Sequence, residues 1–216
     1  AHELKSPLTS IRSAAELLTE ELSSGQKDKF VSNILRESVR VQTLIEKMLY
    51  LSSLENRAQL TLVEPIRAGD VIDDVAASLG PQAEQRAVRF AVSCESGLVF
   101  EGEYFLVRHA LLNLADNAIR HAPAASAVEM KCTVDGDSLV FTVRDYGGGI
   151  PDYALDRIFD KFYSLAAESG GTRGSGLGLA FVRECACLHR GTVSIGNVPE
   201  GGVLAVLRIP RKHTQS

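Results

Sequence analysis

The chain has 216 residues and a formal net charge of −4. That length suits one large or two modest domains, and the mild acidity argues against a nucleic-acid partner. No apolar run reaches the about 18–20 residues that cross a bilayer, and there is no signal-peptide pattern.

Residues 1–57 read as helical. Leu4, Leu8, Ile11, Ala15, Leu18 and Leu22 recur at spacings of four and three, the seam of a coiled coil or bundle. Ser23-Ser24-Gly25-Gln26 breaks this run, and a longer one follows with Phe30, Ile34, Val41, Leu44, Met48 and Leu51 on one stripe. Val31, Leu35, Ile45 and Leu49 widen that stripe beyond a two-helix seam. A wide stripe suits a four-helix bundle, and two helices cannot make four, so a homodimer is expected. The short connection predicts antiparallel neighbours. The chain starts abruptly at Ala1-His2-Glu3, inside what reads as a helix, and is expected to be a piece of a longer protein.

After residue 57 the periodicity mixes strands and helices. Leu60 to Val63 reads as a strand ended by Pro65, and Ala68 to Ala87 as an amphipathic helix disturbed at Gly80-Pro81. Val88 to Val92 alternates as a strand, and Gly102 to Ala122 has helical spacing at Leu111, Ala115 and Ile119. Val128, Met130, Cys132 and Val134 alternate, and Asp135-Gly136-Asp137 turns the chain into a hairpin with Leu139–Val143. A helix from Gly176 to Arg190 and a hairpin of 191–195 with 203–209 close the pattern. The predicted class is α+β. An N-terminal two-helix hairpin over 1–57, a four-helix bundle as a dimer, precedes an α/β sandwich over 58–216 with a mixed, mainly antiparallel sheet. Cys94, Cys132, Cys185 and Cys187 have no zinc spacing and read as free thiols.

Three motifs carry chemistry. In Asn113-Leu-Ala-Asp-Asn117-Ala-Ile-Arg120-His121, Asn113, Asn117 and Arg120/His121 share one helix face. That face is either a solvated polar surface or a set of hard amide-oxygen ligands for Mg²⁺, which normally arrives with phosphates. Asp145 ends a strand, and Gly147, Gly148 and Gly149 follow. This is either an ordinary glycine turn or a carboxylate that accepts a hydrogen bond from an exocyclic amine, with glycines admitting a planar ligand. Gly174-Ser175-Gly176-Leu177-Gly178-Leu179 opens an apolar helix, and backbone N–H groups at such a start bind phosphate; a glycine-rich linker is the plainer alternative.

In this order the three motifs resemble the ATP-binding domain of sensor histidine kinases, within the wider group of gyrase, Hsp90 and MutL ATPases. The resemblance implies that Asn117 is the Mg²⁺ ligand with Asn113 in support. It also implies that Asp145 reads adenine, with Gly147, Gly149 and Ile150 shaping its loop. Phe159 and Phe162 resemble the family's phenylalanine box, residues 164–173 its mobile lid, and Gly174, Ser175, Gly176, Leu177 and Gly178 its second glycine box. His2-Glu3-Leu4-Lys5-Ser6-Pro7-Leu8 is similar to the family's histidine box, which makes His2 the phosphoacceptor. Glu3 is then placed to orient the ring or take its proton, and Pro7 to kink the helix. The partner implied is a cognate response regulator, phosphorylated on aspartate. Details at 162–165, 175–182 and 201–205 are similar to one sub-family of inner-membrane sensors, which implies that this portion is cytoplasmic and that any membrane link runs through other segments.

The chain also departs from the pattern. His121 stands where many relatives have Tyr, Ser164 where many have Arg, and Ser6 where many have Thr or Asn for dephosphorylating the partner. The positive charge for the γ-phosphate then falls to Arg120, Lys161 or Arg173. Two rival functions share the motifs: an ATPase that activates water, for which Asp116 is the acidic candidate, and a non-catalytic nucleotide-sensing scaffold.

Overall fold

A computed structural model describes residues 2–20, 23–165 and 175–212. Helices α1 (His2–Leu17) and α2 (Ser24–Glu55) form the expected hairpin. Pro7 lies inside α1 without ending it. The seam was expected to run through Leu18 to Leu22, but α1 stops at Leu17. There Thr19 donates its hydroxyl and its N–H to Glu16 O, at 2.7 and 3.1 Å, and Glu20 N–H bonds Leu17 O. Leu22 lies outside the described residues. Gln26 Oε1 accepts the N–H and hydroxyl of Ser23, so the serine that breaks the first run caps the second helix. Ala14 and Leu44 are buried between the helices, and Asn33 donates to Ser10 across them. The widened stripe stays open: Leu35 and Leu49 are 62 and 65 % exposed, and Val39, outside the stripe read from the sequence, is 64 % exposed.

The next segment corrects one expectation. The strand is not Leu60–Val63 but β1 (Glu64–Arg67), with Pro65 inside it. Residues 61 and 62 give their N–H groups to the Glu103 carboxylate instead, at 2.5 and 2.9 Å. Pro65 is tolerated because β1 has a single partner strand, so its missing donor costs no ladder bond on the open side. Helix α3 (Ala68–Gln85) corrects another: it runs through Gly80-Pro81 unbroken. Pro81 is exposed, while Leu79 and Ala83 on either side of it are buried in the core and hold the helix through the lost bond.

Strand β2 (Arg89–Cys94) is followed by β3 (Val99–Gly102), which was not anticipated and which pairs antiparallel with β1. Then come α4 (Tyr104–His121), β4 (Ala127–Asp135), β5 (Ser138–Asp145), the short α5 (Asp152–Leu155), α6 (Gly178–Leu188), β6 (Thr192–Asn197) and β7 (Val203–Pro210). The main sheet has the order β2-β4-β5-β7-β6, with β2 and β4 parallel and the rest antiparallel; the sheet is thus mixed and mainly antiparallel, the kind expected. On β4, Val128, Met130 and Cys132 are buried and alternate with Glu129, Lys131 and Thr133. The covered face packs under α3, α4 and α6 around Ile72, Leu111, Ile119 and Phe141.

The last turns of α2 touch this sandwich. Tyr50 stacks on Phe181 at 5.7 Å, His109 meets the same ring edge-on at 4.6 Å, and Arg57 pairs with Glu103 at 3.2 Å.

Candidate functional site

Strand parity decides where Asp145 points. Leu139, Phe141, Val143 and Asp145 share one face of β5, and the first three lie in the core under the helices. Asp145 is therefore carried to the end of that buried face and is only 5 % exposed. Its Oδ1 accepts the N–H of Gly147 at 2.8 Å and of Val203 at 3.3 Å. Burial pushes its carboxyl above the ordinary aspartate value, and those two backbone bonds, Arg144 and His121 pull it back only in part.

The helix face read from the sequence is real. On α4, Leu111, Leu114, Ala115 and Ala118 are buried, and Asn113, Asn117 and Arg120 are half-buried along the other side. Asn113 Nδ2 donates to His109 O at 2.9 Å, which fixes its amide. Among the described residues no hydrogen bond engages the Asn117 amide. Arg120 pairs with Asp116 at 2.5 Å, and Asp116 also accepts from Gln82 on α3 at 2.7 Å. His121, at the helix end, is exposed.

Close backbone approaches join the motifs. A β-carbon on Gly147 would lie 2.6 Å from His121 O, so the loop after β5 packs on the end of α4. One on Gly178 would lie 2.7 Å from Asn113 Oδ1, so the start of α6 packs on the asparagine face. Gly176 has φ +63°, and a β-carbon there would lie 2.6 Å from the Phe162 backbone. Phe162 itself has φ +63° and donates its N–H to Gly176 O at 2.8 Å. A left-handed phenylalanine costs about 1–2 kcal/mol, so the phenylalanine segment is held by that contact. Ser175 and Gly176 are half-buried, Leu177 is buried, Phe159 and Ser164 are half-buried, and Ile150 lines the glycine loop. The close approaches bring the asparagine face of α4, the buried Asp145 carboxylate and the glycine-opened start of α6 together on adjoining elements.

Some expected residues are not among these. Lys161 is paired with Glu55 of α2, at 2.5 Å. Ser6 lies exposed on α1. Arg173, Gly174, most of the lid, and the side chains of His2 and Glu3 lie outside the described residues. Two residues were missed. Asn197 bonds both backbone groups of Ile150 at 2.7 Å, and the Arg144 guanidinium bridges Asp145 O and Gly201 O. Neither has a local sequence signature, because Ile150 and Gly201, the partners that give them their roles, lie 47 and 57 residues away in sequence.

Comparison with known proteins identifies the family. Residues 102–213 match the family "Histidine kinase-, DNA gyrase B-, and HSP90-like ATPase", and residues 1–57 match the His Kinase A (phospho-acceptor) domain. The sensor protein CreC of Escherichia coli K12 is 42 % identical over 99 % of this chain and 44 % of its own length. SphS of Synechococcus elongatus is 35 % identical over 98 % of this chain and 53 % of its own. The chain thus spans about half the length of the curated relatives it matches. Acinetobacter baumannii AdeS has the same fold, with a TM-score of 0.75 at 20 % identity, covering 98 % of each chain. ShkA, solved in complex with AMPPNP, superposes with a TM-score of 0.74 at 25 % identity over all of this chain and 45 % of its own. Among the described residues no helix is long and apolar enough to cross a membrane. The chain belongs to the sensor histidine kinases, the branch of these ATPases in which a phospho-acceptor domain precedes the ATP-binding domain.

Proposed function

We propose that this chain moves the γ-phosphoryl group of ATP onto His2 and then to an aspartate of a response regulator. The observation that carries the reading is the convergence of three motifs, separate in sequence, on adjoining elements at one end of the sheet, in a chain that opens with a phospho-acceptor helix pair. The proposed division is 1–57 for dimerisation and phosphotransfer and 58–216 for nucleotide binding.

Asp145 accepts the adenine exocyclic amine through the oxygen not used by Gly147 and Val203. The N–H groups of 174–178 face the phosphates. Asn117, with Asn113 beside it, fits Mg²⁺: the donors are hard amide oxygens and the Asn117 amide has no competing protein bond among the described residues. When bound, Mg²⁺ neutralises phosphate charge. His2 attacks as a neutral imidazole, Glu3 holds or takes the proton of the other ring nitrogen, and the Ser6 hydroxyl positions water for hydrolysis of the partner's aspartyl phosphate. Arg120, Lys161 and Arg173 are the cations for the γ-phosphate. The engagement of Asp116 by Arg120 and Gln82 weighs against the water-activating ATPase, because that carboxylate is turned toward α3.

The open apolar face of α2 supports a homodimer: exposed Leu35, Val39 and Leu49 form a strip that a second hairpin covers. ThkA, of like fold with a TM-score of 0.75 at 19 % identity over 97 % of this chain and 59 % of its own, was solved in complex with the response regulator TrrA. By likeness to CreC the partner here is a CreB-like regulator, and the chain is the cytoplasmic portion of an inner-membrane sensor. The test is incubation with γ-labelled ATP and Mg²⁺, then acid and alkali treatment, beside His2→Gln. Label stable to alkali, lost in acid and absent from the variant is expected. Label retained by His2→Gln would refute the acceptor, and nucleotide binding without any label would favour the sensing scaffold.

A further inference from the structure

The turn joining β6 to β7 stands behind Asp145 and belongs to none of the three motifs. Asn197, the last residue of β6, accepts the N–H of Ile150 on Oδ1 and donates Nδ2 to Ile150 O, both at 2.7 Å. One side-chain amide thus satisfies both backbone groups of one residue, as a neighbouring strand would. Gly149, just before, has φ +82°, and a β-carbon there would lie 3.0 Å from Asn197 Oδ1. The same turn is fastened to Asp145. Val203 N–H bonds its Oδ1 at 3.3 Å, and Arg144 ties Asp145 O to Gly201 O at 2.6 and 2.5 Å. Gly202 backs directly on the Asp145 carbonyl, where a β-carbon would come to 2.2 Å. The carboxylate and the glycine loop are therefore anchored to one hairpin and keep a fixed spacing.

We infer that Asn197 is a positioning residue for purine selection, pinning Gly149 and Ile150 relative to Asp145 so that the site takes a 6-amino purine and refuses a 6-oxo purine. The inference rests on Asp145 being the adenine contact. A carboxylate accepts from an exocyclic amine but meets only lone pairs on a 6-oxo group. That difference counts only while the loop holds the base edge against the carboxylate; a loop free to back away lets either base settle with water between. Loosening the loop therefore costs ATP affinity and leaves GTP affinity where it was.

The experiment is calorimetric titration of ATP and GTP, each with Mg²⁺, into the wild-type chain, Asn197→Ala and Asn197→Asp. For two solvent-exposed hydrogen bonds the expected loss in Asn197→Ala is about three- to tenfold for ATP, with GTP unchanged, so the preference narrows. Asn197→Asp keeps the shape and the acceptor for Ile150 N–H but turns an oxygen on the Ile150 carbonyl. It narrows the preference as Asn197→Ala does, with the nucleotide-free protein still melting in one cooperative transition. An unaltered ATP-to-GTP ratio in both variants, or equal weakening of both nucleotides, overturns the role of Asn197 while leaving ATP binding in place. Failure of the wild-type chain to prefer ATP overturns the adenine reading itself and this inference with it.

Discussion

Lys161 Nζ lies 2.5 Å from Glu55 Oε2, joining the phenylalanine segment to the last turn of α2. The pair ties the sheet-containing part to the helix hairpin, and under the proposed function it opposes any parting of the two that carries a bound phosphate to the first turn of α1. It also occupies one of the three cations proposed for the γ-phosphate.

Glu55→Gln tests this. The pair is exposed, so its loss changes stability by less than about 1 kcal/mol. The released Lys161 and the loosened contact are expected to raise the autophosphorylation rate about two- to fivefold, a barrier change of about 0.4–1 kcal/mol. Single-turnover labelling of wild type and variant reads it; an unchanged rate would show that the ion pair restrains nothing, and a lowered rate that it supports the active arrangement.

Asp145→Asn is expected to separate stability from binding. Between the ordinary aspartate value of 3.8 and its raised value in the fold, the folded chain holds more protons than the unfolded one. Stability therefore falls as pH rises through that window, and above it the buried charge is a standing cost. Asparagine removes the charge and can still accept from Gly147, so the nucleotide-free variant melts higher than wild type at neutral pH. The same change exchanges an ionised acceptor for a neutral one and weakens ATP binding by about 10–100-fold. In wild type, ATP affinity declines on acidification at a higher pH than an ordinary aspartate would give. Melting curves and titrations from neutral to mildly acid pH check all three, and a variant that binds ATP normally would remove Asp145 from the base site.

Much of this was legible because the signals are local. Alternation at Val128, Met130 and Cys132 fixes which face of β4 is buried, and the same parity on β5 buries Asp145. Spacing alone puts Asn113, Asn117 and Arg120 on one side of α4. The misreadings have long-range causes. Pro81 looks like a helix breaker until Leu79 and Ala83 are seen buried beside it. Leu60 to Val63 looks like a strand until Glu103, more than forty residues on, takes the backbone donors of Thr61 and Leu62. Asn197 gave no signal, because an asparagine at a strand end is common and Ile150 is its partner only in three dimensions.

Glu103 is another place where the two halves meet, and its pH dependence runs opposite to that of Asp145. It is 8 % exposed. Oε1 accepts from Thr61 N–H, Thr61 Oγ1 and Leu62 N–H, and Oε2 pairs with Arg57, so one carboxylate clasps the whole linker after α2. Its backbone N–H donates to His189 Nε2 at 3.1 Å, tying the start of α4 to the end of α6. Burial alone would raise its pKa, but the bonds from Thr61 and Leu62 and the Arg57 charge outweigh that and hold it below the ordinary 4.5. The unfolded chain therefore binds the proton first as pH falls, so this stabilisation is present at neutral pH and lost on acidification through the lowered value. Glu103→Ala leaves two backbone donors and a guanidinium without their acceptor and is expected to cost about 1–3 kcal/mol. Amide hydrogen exchange at Thr61 and Leu62 should accelerate markedly, while α4 and the asparagine face stay protected. Glu103→Gln restores the acceptor without the charge and should recover part of the protection. If exchange at Thr61 and Leu62 stays slow in Glu103→Ala, the linker is held by the Tyr50–Phe181 stack and not by this carboxylate.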